Sequence, residues 1–225
     1  MRFLFFSICF LVVFPACNTS KKSRQSGLVK KHIKVLILGN SILQHAPAPA
    51  LGWQHNWGMA ASAADSDFLH RLQVKILKKQ PEAVIEHRNI ADFERDYRNY
   101  DPEQLAVFKN ADIIIMKIGE NVKDAAAADS NFIKYYDGLL NFLDERKKAK
   151  RVLVDGFWKN RNVNRLIRNY AQENHLPLVS ITALSADPGN EATGMYENRG
   201  VAAHPSDKGM QLIAEKIWEA IKGYF

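Results

Sequence analysis

Five short runs rich in β-branched and aliphatic residues constrain the fold of this chain most tightly. They occupy residues 33–38, 83–87, 112–118, 151–155 and 177–181, and each reads as a buried strand. Helical patterns lie between them and after the last. Within residues 60–79, Phe68, Leu69, Leu72, Ile76 and Leu77 fall near one face. Residues 131–148 repeat this with Phe132, Tyr135, Leu139, Phe142 and Leu143, and residues 163–174 with Leu166, Ile167 and Tyr170. The last helix spans residues 207–224, with Asp207 as the expected N-cap and Met210, Ile213, Ile217, Trp218 and Ile221 as its apolar stripe. Strands alternating with helices imply right-handed crossovers and a parallel sheet covered on both faces. The expected fold is α/β, a three-layer αβα sandwich on about five parallel strands, forming one domain over residues 33–225. Sites in such sheets gather at the carboxyl ends of strands.

The start of the chain reads differently. Arg2 precedes an apolar run from Phe3 to Phe14, of signal-peptide length and short for a membrane span. Val13-Phe14-Pro15-Ala16-Cys17 resembles a bacterial lipobox, with Phe14 and Pro15 departing from its preferred residues. Residues 1–16 are therefore expected to be a cleaved leader, Cys17 the acylated N-terminus, and residues 17–32 a polar tether. The protein would then be exported and membrane-anchored, periplasmic or at the cell surface. Each buried acyl methylene adds about 0.8 kcal/mol of membrane affinity. Both cysteines, Cys9 and Cys17, lie in this region, so the domain contains no thiol or disulfide chemistry. Six of the 31 basic residues fall within residues 1–32, which contain no acid; beyond them 25 bases face 24 acids. A domain so nearly neutral has no electrostatic footprint for nucleic acid.

Three loops at expected strand ends or before the last helix carry reactive groups: Gly39-Asn40-Ser41, Gly119-Glu120-Asn121 and His204-Pro205-Ser206-Asp207. With Gly58 in Asn56-Trp57-Gly58-Met59-Ala60-Ala61-Ser62, they occur in the order of the four blocks of the SGNH, or GDSL-like, hydrolases, which the chain resembles over residues 33–225. The resemblance implies a flavodoxin-like fold, Ser41 as nucleophile and His204 as general base. It implies the Ser41 and Gly58 backbone N–H groups and the Asn121 side-chain amide as oxyanion donors. A serine hydroxyl needs such a base to become nucleophilic. A histidine, with an ordinary pKa of about 6.5, takes the proton and returns it to the leaving alcohol. Lack of a Cβ at Gly58 would allow close backbone approach to the oxyanion.

Two positions depart from the family pattern. Asn40 stands where Asp is usual, and its turn chemistry is similar. Val201 stands where the family places the acid that orients the histidine. A backbone carbonyl near Val201 or Ala202, or a carboxylate such as Glu197 or Asp187, would have to do that work; failing both, the site serves binding alone. Glu120 either faces solvent or pairs with Lys117 or Lys123, or it contacts a substrate hydroxyl. Trp53, Trp57, Phe157 and Trp158 are expected either to ring the mouth as a sugar-binding wall or to cover the core. His45 and His55 lack a third ligand, so no metal is expected, nor any cofactor. The function these residues suggest is hydrolysis of acyl, notably acetyl, esters on a glycan or small ester. An acyltransferase and a catalytically lapsed glycan-binding module are the alternatives.

Overall fold

The computed structural model describes residues 32–127 and 131–225. The leader, Cys17 and residues 17–31 of the tether lie outside these. Five parallel strands, β1 (Lys34–Gly39), β2 (Val84–Asn89), β3 (Ile113–Lys117), β4 (Lys150–Val154) and β5 (Leu178–Val179), form one sheet in the order β2-β1-β3-β4-β5. The helices are α1 (Phe68–Lys79), α2 (Ala91–Arg95), α3 (Asp124–Ala127), α4 (Phe132–Leu143), α5 (Arg161–Glu173), α6 (Arg199–Ala202) and α7 (Asp207–Ile221).

Side-chain alternation along the central strands sorts the core into two layers. Val35, Ile37, Ile113, Ile115, Val152 and Val154 pack with Phe68, Leu72 and Ile76 of α1 and Ile213 and Ile217 of α7. Leu36, Leu38, Ile114, Met116 and Leu153 pack on the other side with Phe132, Leu139 and Leu140 of α4 and Ile167 of α5. Both faces of β1 and β3 are thus covered, as their unbroken apolar runs require. The result is the expected flavodoxin-like three-layer sandwich.

The differences from the sequence reading are local. β2 continues past His87 to Asn89, because Gly39 pairs with Asn89 at the end of β1. β5 shrinks to two residues at the sheet edge. The first long helix begins at Phe68, since residues 60–67 are occupied by a turn with Ala60 at φ 71°, a short 3-10 segment and the cap Asp67. Leu77 is 40% exposed, so it falls off the buried stripe. The cap of α7 is Ser206, whose Oγ accepts from Gly209 N–H at 3.3 Å. Asp207 instead accepts from Ser62 N–H at 2.8 Å and from the Ser62 hydroxyl, fastening α7 to the loop before α1.

Asp67 is the buried counterpart of that fastening. Its Oδ1 caps α1 by accepting from His70 N–H at 2.8 Å, and its Oδ2 accepts from Gly58 N–H at 3.0 Å. Replacing it with alanine removes a cap and leaves a buried amide unpaired. Asp67→Ala is expected to lower stability by about 2–3 kcal/mol. Urea denaturation should show a lower midpoint at unchanged slope.

Candidate active site

Ser41 stands in the turn that follows β1. Asn40 shapes this turn: its carbonyl accepts from Leu43 N–H at 2.9 Å and Gln44 N–H at 3.1 Å, and its side-chain Oδ1 accepts from Ile42 N–H at 3.1 Å. Among the described residues, the Ser41 N–H has no protein acceptor, so it remains available to a ligand. Ser41 Oγ lies 2.8 Å from His204 Nε2, joining two groups 163 residues apart.

The far nitrogen of the imidazole, Nδ1, bonds to the Gly200 carbonyl at 2.8 Å. That carbonyl belongs to α6, whose first turn is capped by the Asn198 side chain through Gly200 N–H at 2.9 Å and Val201 N–H at 3.1 Å. His204 N–H turns to the Val201 carbonyl at 3.0 Å, freeing Gly200 O for the ring. A helix end always leaves such carbonyls without helical partners. With Nδ1 held as donor, Nε2 is the acceptor facing the hydroxyl. Val201 is buried with Trp53, Met59 and Ala60. Burial holds His204 far below an ordinary histidine, at about 4; the Gly200 bond opposes this, while His45 and Lys117 push it further down.

Neither proposed carboxylate orients the ring. Asp187 is an exposed residue that caps a short 3-10 turn and pairs with Lys208 at 2.7 Å. Glu197 is exposed, and the only Nδ1 bond among the described residues goes to Gly200.

Gly119 and Asn121 lie beside the Ser41 turn at the end of β3. Gly119 takes φ 137°, and a Cβ there would press on Val163 and Ile167. Beneath them lies a buried polar cluster. Glu94 of α2 accepts from Gly119 N–H, from Asn121 N–H at 3.4 Å, from Asn121 Nδ2 at 2.6 Å and from Asn40 Nδ2 at 3.1 Å. Glu120 accepts from the other side of the same Asn40 amide at 2.7 Å, from Phe157 N–H at 3.0 Å and from Lys117. Lys117 and Glu120 are both fully enclosed. Burial and the Glu120 charge push the Glu94 carboxyl above its ordinary range. Burial alone would raise Glu120 too, but the Lys117 ammonium holds it below the usual carboxylate range. Glu120 is therefore a structural anchor paired with Lys117, not a group offered to substrate.

Gly58 also differs from its expected role. Its N–H is committed to Asp67, as described above, and a Cβ would come within 2.7 Å of the Ile42 carbonyl and 2.9 Å of Asp67 Cβ. Close packing explains this glycine, and its N–H is not free to meet an oxyanion.

Ser41 and His204 open onto a cavity of about 400 Å³. Asn121, His45, Asn89, Asp92, Arg95 and Asn198 supply its polar lining, and Leu51, Met59 and Val201 part of its apolar one. Arg95 Nη1 meets Asp92 Oδ1 at 3.1 Å, an exposed pair of small energetic weight. The four expected aromatics do not line this cavity. Trp53 and Phe157 are fully buried. Trp57 donates to the Ala61 carbonyl and stacks on His55. Trp158 donates to the Ala203 carbonyl at 3.0 Å and meets His204 edge-on, so it braces the histidine loop. Among the described residues, no group of three His, Cys, Asp or Glu is placed to hold a metal ion. Sequence reasoning missed Asn89, Asp92, Glu94, Arg95 and Asn198. The strand-end rule, applied also to β2, would have drawn attention to Asn89 and α2.

No protein-family model matches the sequence, and no curated protein matches it. The fold, however, is shared with solved esterases. A two-domain esterase active on acetylated mannans superposes with TM-score 0.54 at 20% identity, over 85% of this chain and 49% of that one. This chain thus spans about half the length of that protein. An acetyl xylan esterase matches with TM-score 0.53 at 18% identity, over 84% of this chain and all of the other. TesA matches with TM-score 0.55 at 15% identity, over 85% and 99%. At these identities the likeness establishes the fold alone.

Two outcomes follow from the geometry. If His204 serves as a general base it must be neutral to act, so kcat/KM should stay level from pH 8 down to about 5 and fall only near pH 4. An acid limb at 6.5 in the pH–rate profile would contradict the buried ring. Trp158→Phe should lower kcat several-fold with KM unchanged; a raised KM alone would instead restore the sugar-wall expectation.

Proposed function

We propose that this chain is an SGNH-type serine esterase that removes acyl groups, acetyl foremost, from carbohydrate. One observation carries the reading: Ser41 Oγ sits 2.8 Å from His204 Nε2 while Nδ1 is fixed by the Gly200 carbonyl, at the floor of an open polar cavity. In this reading His204 takes the hydroxyl proton as Ser41 Oγ attacks the ester carbonyl. The Ser41 N–H and the Asn121 amide meet the developing oxyanion, each such donor contributing roughly 3–4 kcal/mol to the transition state. As the bond from the acyl carbon to the sugar oxygen breaks, His204 gives its proton to that oxygen, and the acyl group remains on Ser41. Water, deprotonated by the same imidazole, attacks the acyl-enzyme; the Ser41 Oγ–acyl bond breaks, the imidazolium returns its proton to Oγ, and the carboxylic acid is released.

The carbohydrate substrate is supported by the cavity's amide and charged lining and by fold-sharing esterases that act on acetylated mannans and, by name, on acetyl xylan. The alternative of a lapsed binding module rested on Val201; the Gly200 carbonyl, which bonds Nδ1 where no acid does, supports the esterase instead. We also propose export and acylation at Cys17, which detergent phase partition of the mature protein tests: a wholly aqueous form would exclude the anchor.

Wild type and Ser41→Ala should be compared on p-nitrophenyl acetate and acetylated xylan. Loss of at least about 10³-fold in kcat is expected for the variant. A fluorophosphonate probe should label wild type at Ser41 and leave Ser41→Ala unlabelled. An unlabelled and inert wild type would overturn the esterase.

A further inference from the structure

An asparagine amide has two ends of nearly equal shape and opposite hydrogen-bonding sense. To stabilise an oxyanion, Asn121 must present nitrogen. An unsupported amide can turn over and present oxygen instead. Resting on the esterase reading, we propose that Glu94 is the positioning residue of this site: its buried carboxylate fixes the Asn121 amide with nitrogen inward and leaves the second N–H for the cavity shared with Ser41.

The arrangement of donors around Glu94 gives the reason. Its Oε2 accepts from Asn121 Nδ2 at 2.6 Å. Its Oε1 accepts from Asn40 Nδ2 at 3.1 Å, from Asn121 N–H at 3.4 Å and from Gly119 N–H. Four donors thus converge on a side chain that is 1% exposed. An ionised carboxylate is the state that accepts from all four, and it accepts only nitrogen from Asn121. The same side chain holds the backbone of residues 119 and 121 and the Asn40 amide next to the nucleophile. One carboxylate therefore sets the backbone position of Asn121 and the sense of its side-chain amide together.

Glu94→Gln tests this sharply, because it preserves shape and removes one acceptor. The three donors at Oε1 keep the glutamine oxygen there, so its nitrogen meets Asn121. Two amide nitrogens cannot bond to each other, and Asn121 must turn over. Its oxygen then stands where the donor stood.

The expected loss in kcat on p-nitrophenyl acetate is about 10²–10³-fold, the size of one lost oxyanion donor, with KM within a few-fold of wild type. Because Glu94 acts through Asn121, Glu94→Gln/Asn121→Ala should be no slower than Asn121→Ala alone. Losses that multiply, or a Glu94→Gln enzyme as fast as wild type, would overturn the proposal. If Glu94→Gln does not fold by circular dichroism, ¹⁵N-labelled wild type supplies the readout. One Asn121 side-chain proton, assigned by its absence from Asn121→Ala, should lie downfield of a free asparagine amide. Two protons at ordinary positions would equally overturn it. A wild type no faster than Ser41→Ala would sink the esterase reading instead, and the amide spectrum would still decide the Glu94 bond.

Discussion

Pairing of β1 with β3 in parallel register delivers two turns to the same edge of the sheet, and the buried Asn40 amide joins what lies beneath them. That amide has two N–H groups, and each meets a different carboxylate, Glu94 on one side and Glu120 on the other. Two buried carboxylates this close would repel strongly with nothing between them. Lys117 offsets one charge, and the amide of Asn40 bridges both. An aspartate at position 40 would add a third negative group where a donor is required. Asn40 is thus part of a local charge arrangement, and it also holds the Ser41 turn through its carbonyl and Oδ1.

The opposite side of the site is built from backbone. α6 is barely one turn long, yet its cap, Asn198, and its carbonyl end together decide where the imidazole points. Trp158 closes the other side of the ring by bonding the Ala203 carbonyl and meeting His204 at right angles. The Gly200 carbonyl orients the histidine and favours its charged form, but by less than burial opposes it. Enclosure dominates, which is why the ring resists protonation so strongly. The Ser41 side therefore rests on buried charge, and the His204 side on dipoles and packing.

The fold was legible because its signals are strong and repeated. Runs such as Val35-Leu36-Ile37-Leu38 and Ile113-Ile114-Ile115-Met116 have few alternatives to buried parallel strands. The pairing of Ser41 with His204 was legible from block order. What sequence could not give was the direction in which side chains turn. Trp53 and Glu120 sit in loops next to chemistry, and loop residues read as exposed until packing is known. Trp53 is buried with Val201 and Met59, and Glu120 is drawn inward by Lys117. Gly58 was placed correctly in its loop, but its N–H partner, Asp67, depends on where α1 begins. Glu94 gave no signal, since a single acid in the polar stretch after β2 looks like solvated surface.

The Gly200 carbonyl has a consequence for how such a site is tested and how it diverges. The group that steers the imidazole is carried by the main chain, so no side-chain truncation deletes it outright. A scan that replaces each residue in turn would sense this group only indirectly, through the Asn198 side chain that caps its turn. Drift in sequence likewise reaches it only by moving the backbone. Only a change that bends the α6 turn, such as loss of its Asn198 cap or insertion of a proline, would withdraw the third partner.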